Sequence, residues 1–264
     1  MNQSERRIFL INKLIKENND YKNITIPANG DKQKLLLRAL MNVRMPKPTS
    51  KEFLNVQDEY LKDEIRQKGI TDYKNLTPIE KNIYLWQGDI TTLKCDAAVN
   101  AANSKMLGCF CPNHGCIDNA IHTFAGIELR LKCDEIMKAQ GCDEKTGNAK
   151  ITPAYNLPCN YIIHTVGPII ENKLTNKDCE LLRKCYISCI KTAIENNLKS
   201  IAFCCISTGE FGFPNEKAAE IAISTVKEFI NQTNAQTEVI FNVYKNKDYN
   251  IYKRLLTENQ QIKK

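Results

Sequence analysis

The sequence predicts a three-layer α/β fold with a helical extension ahead of it. Three observations predict this. From about Ile83 onward, short apolar runs rich in β-branched residues alternate with longer helix-patterned segments, as in a sheet covered by helices. Residues 1–75, by contrast, carry only helix-spaced apolar stripes. The length of 264 residues suffices for one substantial core, or one core with a smaller appended unit. We therefore expect a helical extension over 1–75 and a main α/β unit over 76–264.

In order, Ile8, Leu10, Ile11, Leu14 and Ile15 define a first helix stripe. A second helix is expected over 31–43 through Leu35, Leu36, Leu37, Leu40 and Met41, with Asp31 after Gly30 as its cap. The run Pro46-Lys47-Pro48-Thr49-Ser50 reads as a linker, because proline fixes the backbone and removes a donor. A third helix follows over 52–68 and stops near Gly69. Beyond it, strands are expected over 83–86, 97–99, 161–166, 200–206 and 238–243. Helices are expected over 116–138, 178–195, 216–231 and 248–258. In such a fold the ligand site lies beyond the carboxyl ends of the strands, where loops meet helix N-termini.

The net charge of +7 is modest, with residues 1–83 holding 16 Lys/Arg against 11 Asp/Glu. No dense basic run with interleaved aromatics is present, so nucleic-acid binding is not expected. No stretch reaches the roughly 18 apolar residues of a membrane span, and charged residues interrupt any signal-like start. All twelve cysteines fall at or after Cys95, and the expected setting is the cytoplasm with reduced thiols. Cys133, Cys179, Cys185, Cys189, Cys204 and Cys205 sit in helix- or strand-like patterns and read as small buried side chains.

Four loops carry the candidate chemistry. Gly88-Asp89-Ile90-Thr91 follows a strand, so Asp89 is either a turn cap or an acceptor for a base amino group or sugar hydroxyl. Asn100-Ala101-Ala102-Asn103 offers two carboxamides around two minimal side chains, either an ordinary polar turn or a close approach to a ligand. Ser207-Thr208-Gly209-Glu210-Phe211-Gly212 precedes a helix; its glycines let successive backbone N–H groups converge on an anion. It matches neither the Walker A nor the dinucleotide fingerprint. Finally, Cys109-Phe110-Cys111-Pro112-Asn113-His114-Gly115-Cys116 concentrates the residue types zinc prefers. Four ligands would make a closed structural site, three an open catalytic one. Asp118 is a helix-dipole carboxylate, a base or a substrate anchor. His122 shares its helix face, and His164 lies in an apolar strand and reads as structural.

Together these loops resemble those of the macrodomain family over roughly 84–258, and most closely its zinc-containing subclass of microbial hydrolases, which carries a helical N-terminal extension. The subclass signature is matched by Gly108-Cys109-Phe110, Pro112, His114, Cys116-Ile117-Asp118-Asn119 and Ile121-His122. The resemblance implies a three-layer α/β/α macrodomain with a mixed central sheet that binds ADP-ribose. It implies Asp89 with Ile90 at the adenosine, and Asn100, Ala101 and Asn103 around the distal ribose. Ser207, Thr208, Gly209, Glu210, Phe211 and Gly212 fall at the diphosphate, and Tyr244 against adenine. It implies a Zn2+ cofactor on Cys109, His114 and Cys116, with Cys111 at a variable position, and no metal role for His122 or His164.

The implied activity is zinc-dependent removal of mono-ADP-ribose from modified proteins, from acidic side chains, with Asn103 and Asp118 as catalytic residues. The expected substrate is a mono-ADP-ribosylated protein and the product ADP-ribose. No membrane or nucleic-acid partner is expected, and the chain is expected to be a monomer. A module that binds ADP-ribose without cleaving it is the alternative.

Overall fold

A computed structural model describes residues 1–233 and 235–261. Helices α1 (Gln3–Lys16), α2 (Gly30–Val43) and α3 (Lys51–Lys68) come first. They enclose their own apolar cluster, in which Leu10, Ile11, Leu14, Leu37, Leu40, Met41, Phe53, Tyr60 and Leu61 meet Ile127 of the main unit. The stripes are narrower than the sequence suggests, since Ile8 is 37% and Leu35 54% exposed. Asn29, not Asp31, caps α2, its side chain accepting from Lys32 N at 3.0 Å.

A two-stranded parallel pair, β1 (Thr71–Asp72) with β3 (Leu93–Lys94), flanks the central sheet. The sheet contains β2 (Ile83–Gln87), β4 (Ala97–Ala102), β5 (Ala149–Pro153), β6 (Tyr161–Val166), β7 (Ser200–Phe203) and β8 (Glu238–Val243), in the order β2-β8-β7-β4-β6-β5. All pairings are parallel except β5 with β6, so the sheet is mixed. Helices α4 (Ile117–Ala125) and α5 (Ile127–Gln140) carry the chain from β4 toward the β5 edge. Helices α6 (Asn176–Glu195) and α7 (Asn215–Thr233) return it from β6 across to β7 and β8, and α8 (Asn246–Gln261) follows. Right-handed connections running in opposite directions place the two helix groups on opposite faces. The direction reverses at β4, and parallel strands place the loops after β2, β4, β7 and β8 at one edge of the sheet.

Four expectations are corrected here. The helix expected over 116–138 is two helices, because Gly126 adopts φ 102° between them. Gln57 of α3 fills the break: its Oε1 accepts from Ile127 N at 2.9 Å, while Asn156 Nδ2 donates to Ala125 O at 2.9 Å. The edge strand β5 was not anticipated; its pattern is too weakly apolar and ends in Pro153. The strand expected to reach Ile206 stops at Phe203. Asn100, Ala101 and Ala102, expected as a loop, are the last residues of β4.

Candidate active site

The loop between β4 and α4 has no regular structure, and Asn113 within it takes a left-handed backbone at φ 55°. Its fold brings the Sγ atoms of Cys109 and Cys116 and a ring nitrogen of His114 all within 4.8 Å of one another. Cys109 Sγ lies 3.6 Å from His114 Nδ1. Zn–S and Zn–N bonds in a tetrahedron place S and N about 3.6 Å apart, so these residues fit zinc with little adjustment. Cys111 is exposed and lies outside the cluster. Burial pushes the Cys116 thiol up to about 12, against the hydrogen bond from Asn119 N–H and with Cys109 and Asp118 adding to the rise. A divalent cation there would reverse that balance by favouring thiolates. The other ring nitrogen of His114, Nε2, lies 3.5 Å from Glu210 Oε1 on the loop after β7.

Cys116 also begins α4, its Sγ accepting from Asn119 N at 3.4 Å. That places Asp118 in the first turn of α4, facing the end of β4. Asp118 Oδ1 accepts from Asn100 Nδ2 at 2.8 Å, and Oδ2 from Asn103 Nδ2 at 3.3 Å. Burial raises its pKa to about 6, although Asn100, Arg130 and Asn103 all favour the carboxylate.

Behind Asp118 lies a second polar layer. Asn100 is fully buried, and its amide nitrogen also contacts His164 Nδ1 at 3.1 Å. Because that amide nitrogen can only donate, Nδ1 accepts. Nε2 therefore carries the proton and donates to Thr152 Oγ1 at 3.0 Å. His164 is thus a satisfied buried histidine, as the sequence suggested. His122 packs 3.6 Å from Asp118 Oδ1, and neither of its ring nitrogens has a hydrogen-bond partner among the described residues. A second group, His122, Cys133 and His164, also brings its ligand atoms within 4.8 Å, but His164 Nε2 is engaged with Thr152.

The loop after β7 is a compact turn. Ser207 has φ 65°, Phe213 N donates to Ser207 O at 2.9 Å, and Gly212 N donates to Gly209 O at 3.0 Å. Thr208 Oγ1 donates to Cys205 O at 3.0 Å. The backbone N–H groups of Gly209, Glu210 and Phe211 donate to no protein group among the described residues. Gly167 abuts this turn; a Cβ there would fall on Ser207 Oγ.

Asp89 realises its capping role: Oδ1 accepts from Thr91 N at 3.0 Å and Thr91 Oγ1 at 2.6 Å, while Oδ2 accepts from Lys68 Nζ at 2.9 Å. Burial raises its pKa, but the hydrogen bonds from Thr91 and Lys68 outweigh this and hold it below the ordinary value. Ile90 is buried in the same turn, Ala101 is half-buried near the end of β4, and Tyr244, directly after β8, is 75% exposed. Lys68 was not singled out from the sequence, nor was Arg38, which donates to His114 O and Asn119 Oδ1. Both come from the helical extension, far along the chain from their partners, with no local signal to mark them.

The mixed sheet of this α/β/α fold thus gathers an unpaired amide turn, a recessed carboxylate and a Cys/His cluster at the ends of its parallel strands. Residues 99–222 match the family model described as Macro domain. A protein-ADP-ribose hydrolase of Treponema medium is 56% identical over 97% of this chain and 100% of its own length. One from Staphylococcus aureus (strain MSSA476) is 50% identical over 96% of both. The crystal structure of a Trypanosoma brucei macrodomain in complex with ADP-ribose superposes with a TM-score of 0.64 at 29% identity, covering 83% of this chain and 94% of that one. The chain belongs to the macrodomain family and is closely related to protein-ADP-ribose hydrolases. No helix among the described residues is long and apolar enough to cross a membrane.

Proposed function

We propose that this protein is a hydrolase that removes mono-ADP-ribose from modified proteins, from acidic side chains, with zinc held by Cys109, His114 and Cys116. One observation carries the reading: the three-ligand cluster leads directly into the helix that presents Asp118. Relatives named protein-ADP-ribose hydrolases along the whole chain support the reaction class.

In this reading Asp89 accepts from the adenine amino group, Ile90 borders it, and the exposed Tyr244 ring covers the base. The free amides of Gly209, Glu210 and Phe211, framed by Ser207, Thr208 and Gly212, take the diphosphate. Asn100 and Ala101 shape the end of β4 under the distal ribose. Asn103 and Asn100 hold Asp118 so that a carboxylate oxygen can orient a ribose hydroxyl or take a proton from it. Cleavage develops positive charge at the anomeric carbon, which the negative charge of a diphosphate held on these amides would help to stabilise. When bound, zinc supplies Lewis-acid polarisation of a ribose oxygen or water beside that carbon. The division into an extension over 1–75 and a catalytic unit over 76–264, the cytoplasmic setting and the monomeric state belong to the same proposal.

The test is Cys116→Ala, assayed for zinc content and for release of ADP-ribose from a protein mono-ADP-ribosylated on glutamate. Loss of both is expected. Full turnover by a zinc-free variant would remove the metal from the chemistry. Binding without release by the zinc-loaded wild type would make the protein a reader of ADP-ribose.

A further inference from the structure

Cys109 and His114 lie on a loop with no helix or strand to fix it, yet a metal site needs its ligands held within a few tenths of an ångström. The pins come from outside the main unit. Arg38 of α2 donates from Nη2 to His114 O at 2.9 Å, and from Nε and Nη2 to Asn119 Oδ1 at 3.1 and 2.7 Å. A guanidinium can only donate, so it forces the oxygen of the Asn119 carboxamide toward itself. The amide nitrogen of Asn119 then faces the loop and donates to Cys111 O at 2.9 Å. One turn further along α2, Asn42 Oδ1 accepts from Asn113 N at 3.0 Å, and Asn42 Nδ2 donates to Thr123 Oγ1 at 2.9 Å. Thr123 Oγ1 in turn donates to Asn119 O at 2.7 Å. Three peptide groups of the metal loop, through Cys111 O, Asn113 N and His114 O, are thus fixed by side chains directed or supplied by α2. Asn42 and Asn119 are 1% and 0% exposed, so the network is anchored in the interior, while Arg38 is half-buried and the loop it holds reaches the surface.

We infer that α2 clamps the metal loop, with Arg38 and Asn42 acting as positioning residues for the zinc ligands. This rests on the zinc reading given above. The helical extension is then part of the metal site's construction, although it supplies none of the ligands. Electrostatics alone makes the opposite forecast. Arg38 is a cation near the site, so deleting its charge should tighten a divalent ion, whereas deleting a clamp should loosen it.

The test measures zinc release from the full-length, zinc-loaded protein into excess chromogenic chelator. Compared are wild type, Arg38→Ala, Arg38→Lys, Asn42→Ala and, as a control in the same helical unit, Lys13→Ala, which removes an exposed pair with Glu52 and a contact with the Phe9 ring. Arg38→Ala and Asn42→Ala should release zinc roughly 10- to 100-fold faster. Arg38→Lys should fall between, since one ammonium cannot span both acceptors as a planar fork does. Lys13→Ala should match wild type. Wild-type release rates in both Arg38→Ala and Asn42→Ala, or slower release in Arg38→Ala, would overturn the clamp while leaving the zinc reading intact. A wild-type protein that holds no stoichiometric zinc overturns both. Should Arg38→Ala fail to fold, Arg38→Lys and Asn42→Ala decide the question.

Discussion

Acid should weaken this protein through His164, and the size of the effect follows from where that ring sits. His164 is fully buried between Asn100 and Thr152, and burial lowers its pKa from 6.5 to about 3. A group whose folded pKa is depressed contributes stability that is complete above its unfolded pKa and is lost as pH falls. The window here runs from pH 6.5 down to about pH 3. Between pH 7.5 and pH 5 the unfolded chain takes up a proton that the folded state refuses, which costs about 2 kcal/mol. His122 shifts in the same direction, by burial first and then by His164 and Arg130. Asp118 opposes them: its carboxyl, raised to about 6, binds a proton more readily when folded and so adds stability as pH falls through that value. Wild type alone therefore shows only a partial slope, and the informative quantity is a difference. Urea unfolding of wild type and His164→Gln at pH 7.5 and pH 5, in EDTA so that metal loss does not enter, should show the variant losing about 2 kcal/mol less than wild type across that interval. The variant is expected to be less stable at pH 7.5, because it gives up fitted hydrogen bonds. Identical pH dependence in the two proteins would refute the assignment of a neutral, buried His164.

Two further outcomes are expected. Gly126→Ala forces a positive φ on alanine and sets a Cβ 2.7 Å from Gln57 Nε2, so it should destabilise the fold by roughly 2–4 kcal/mol in denaturant unfolding. Asp89→Ala should weaken ADP-ribose binding in calorimetric titration by about tenfold or more, the loss of a hydrogen bond to a charged acceptor, without changing zinc content. A zinc-poor Asp89→Ala protein would contradict the separation of the two sites, since the Asp89 carboxylate accepts from Thr91 and Lys68 and from none of the zinc-cluster residues among the described residues.

Local pattern made much of the architecture legible. Alternating apolar runs and helix stripes forecast α1 to α3, β2, β6, β8 and α6 to α8, because burial of one face imposes a period that survives in the sequence. The break at Gly126 was not readable that way. Apolar spacing continues across it, and the positive φ of Gly126 is held in place by a glutamine from α3 that accepts from Ile127 N. The edge strand β5 was invisible for the related reason that its stability comes from pairing with β6. Asn100 illustrates the same limit at the site. Its position near a strand end was evident, but its burial and its two-way bond to Asp118 and His164 depend on β4 lying beside β6 and beneath α4.

By itself the sequence determined the chemistry that is local in the chain. Cys109, His114 and Cys116 fall within one short loop, Asp118 within the helix that follows, and the glycine turn after a strand, so residue type and spacing marked them as candidates, while the three-ligand set came from the family resemblance. Only the tertiary structure shows Cys109, His114 and Cys116 converging with Cys111 outside the group, and Arg38 and Asn42 of α2 hydrogen-bonded to the loop. The physical reason is distance along the chain. A hydrogen bond between residues far apart in sequence leaves no periodicity and no spacing rule, and comes into being only when the packing of two cores sets the helices side by side.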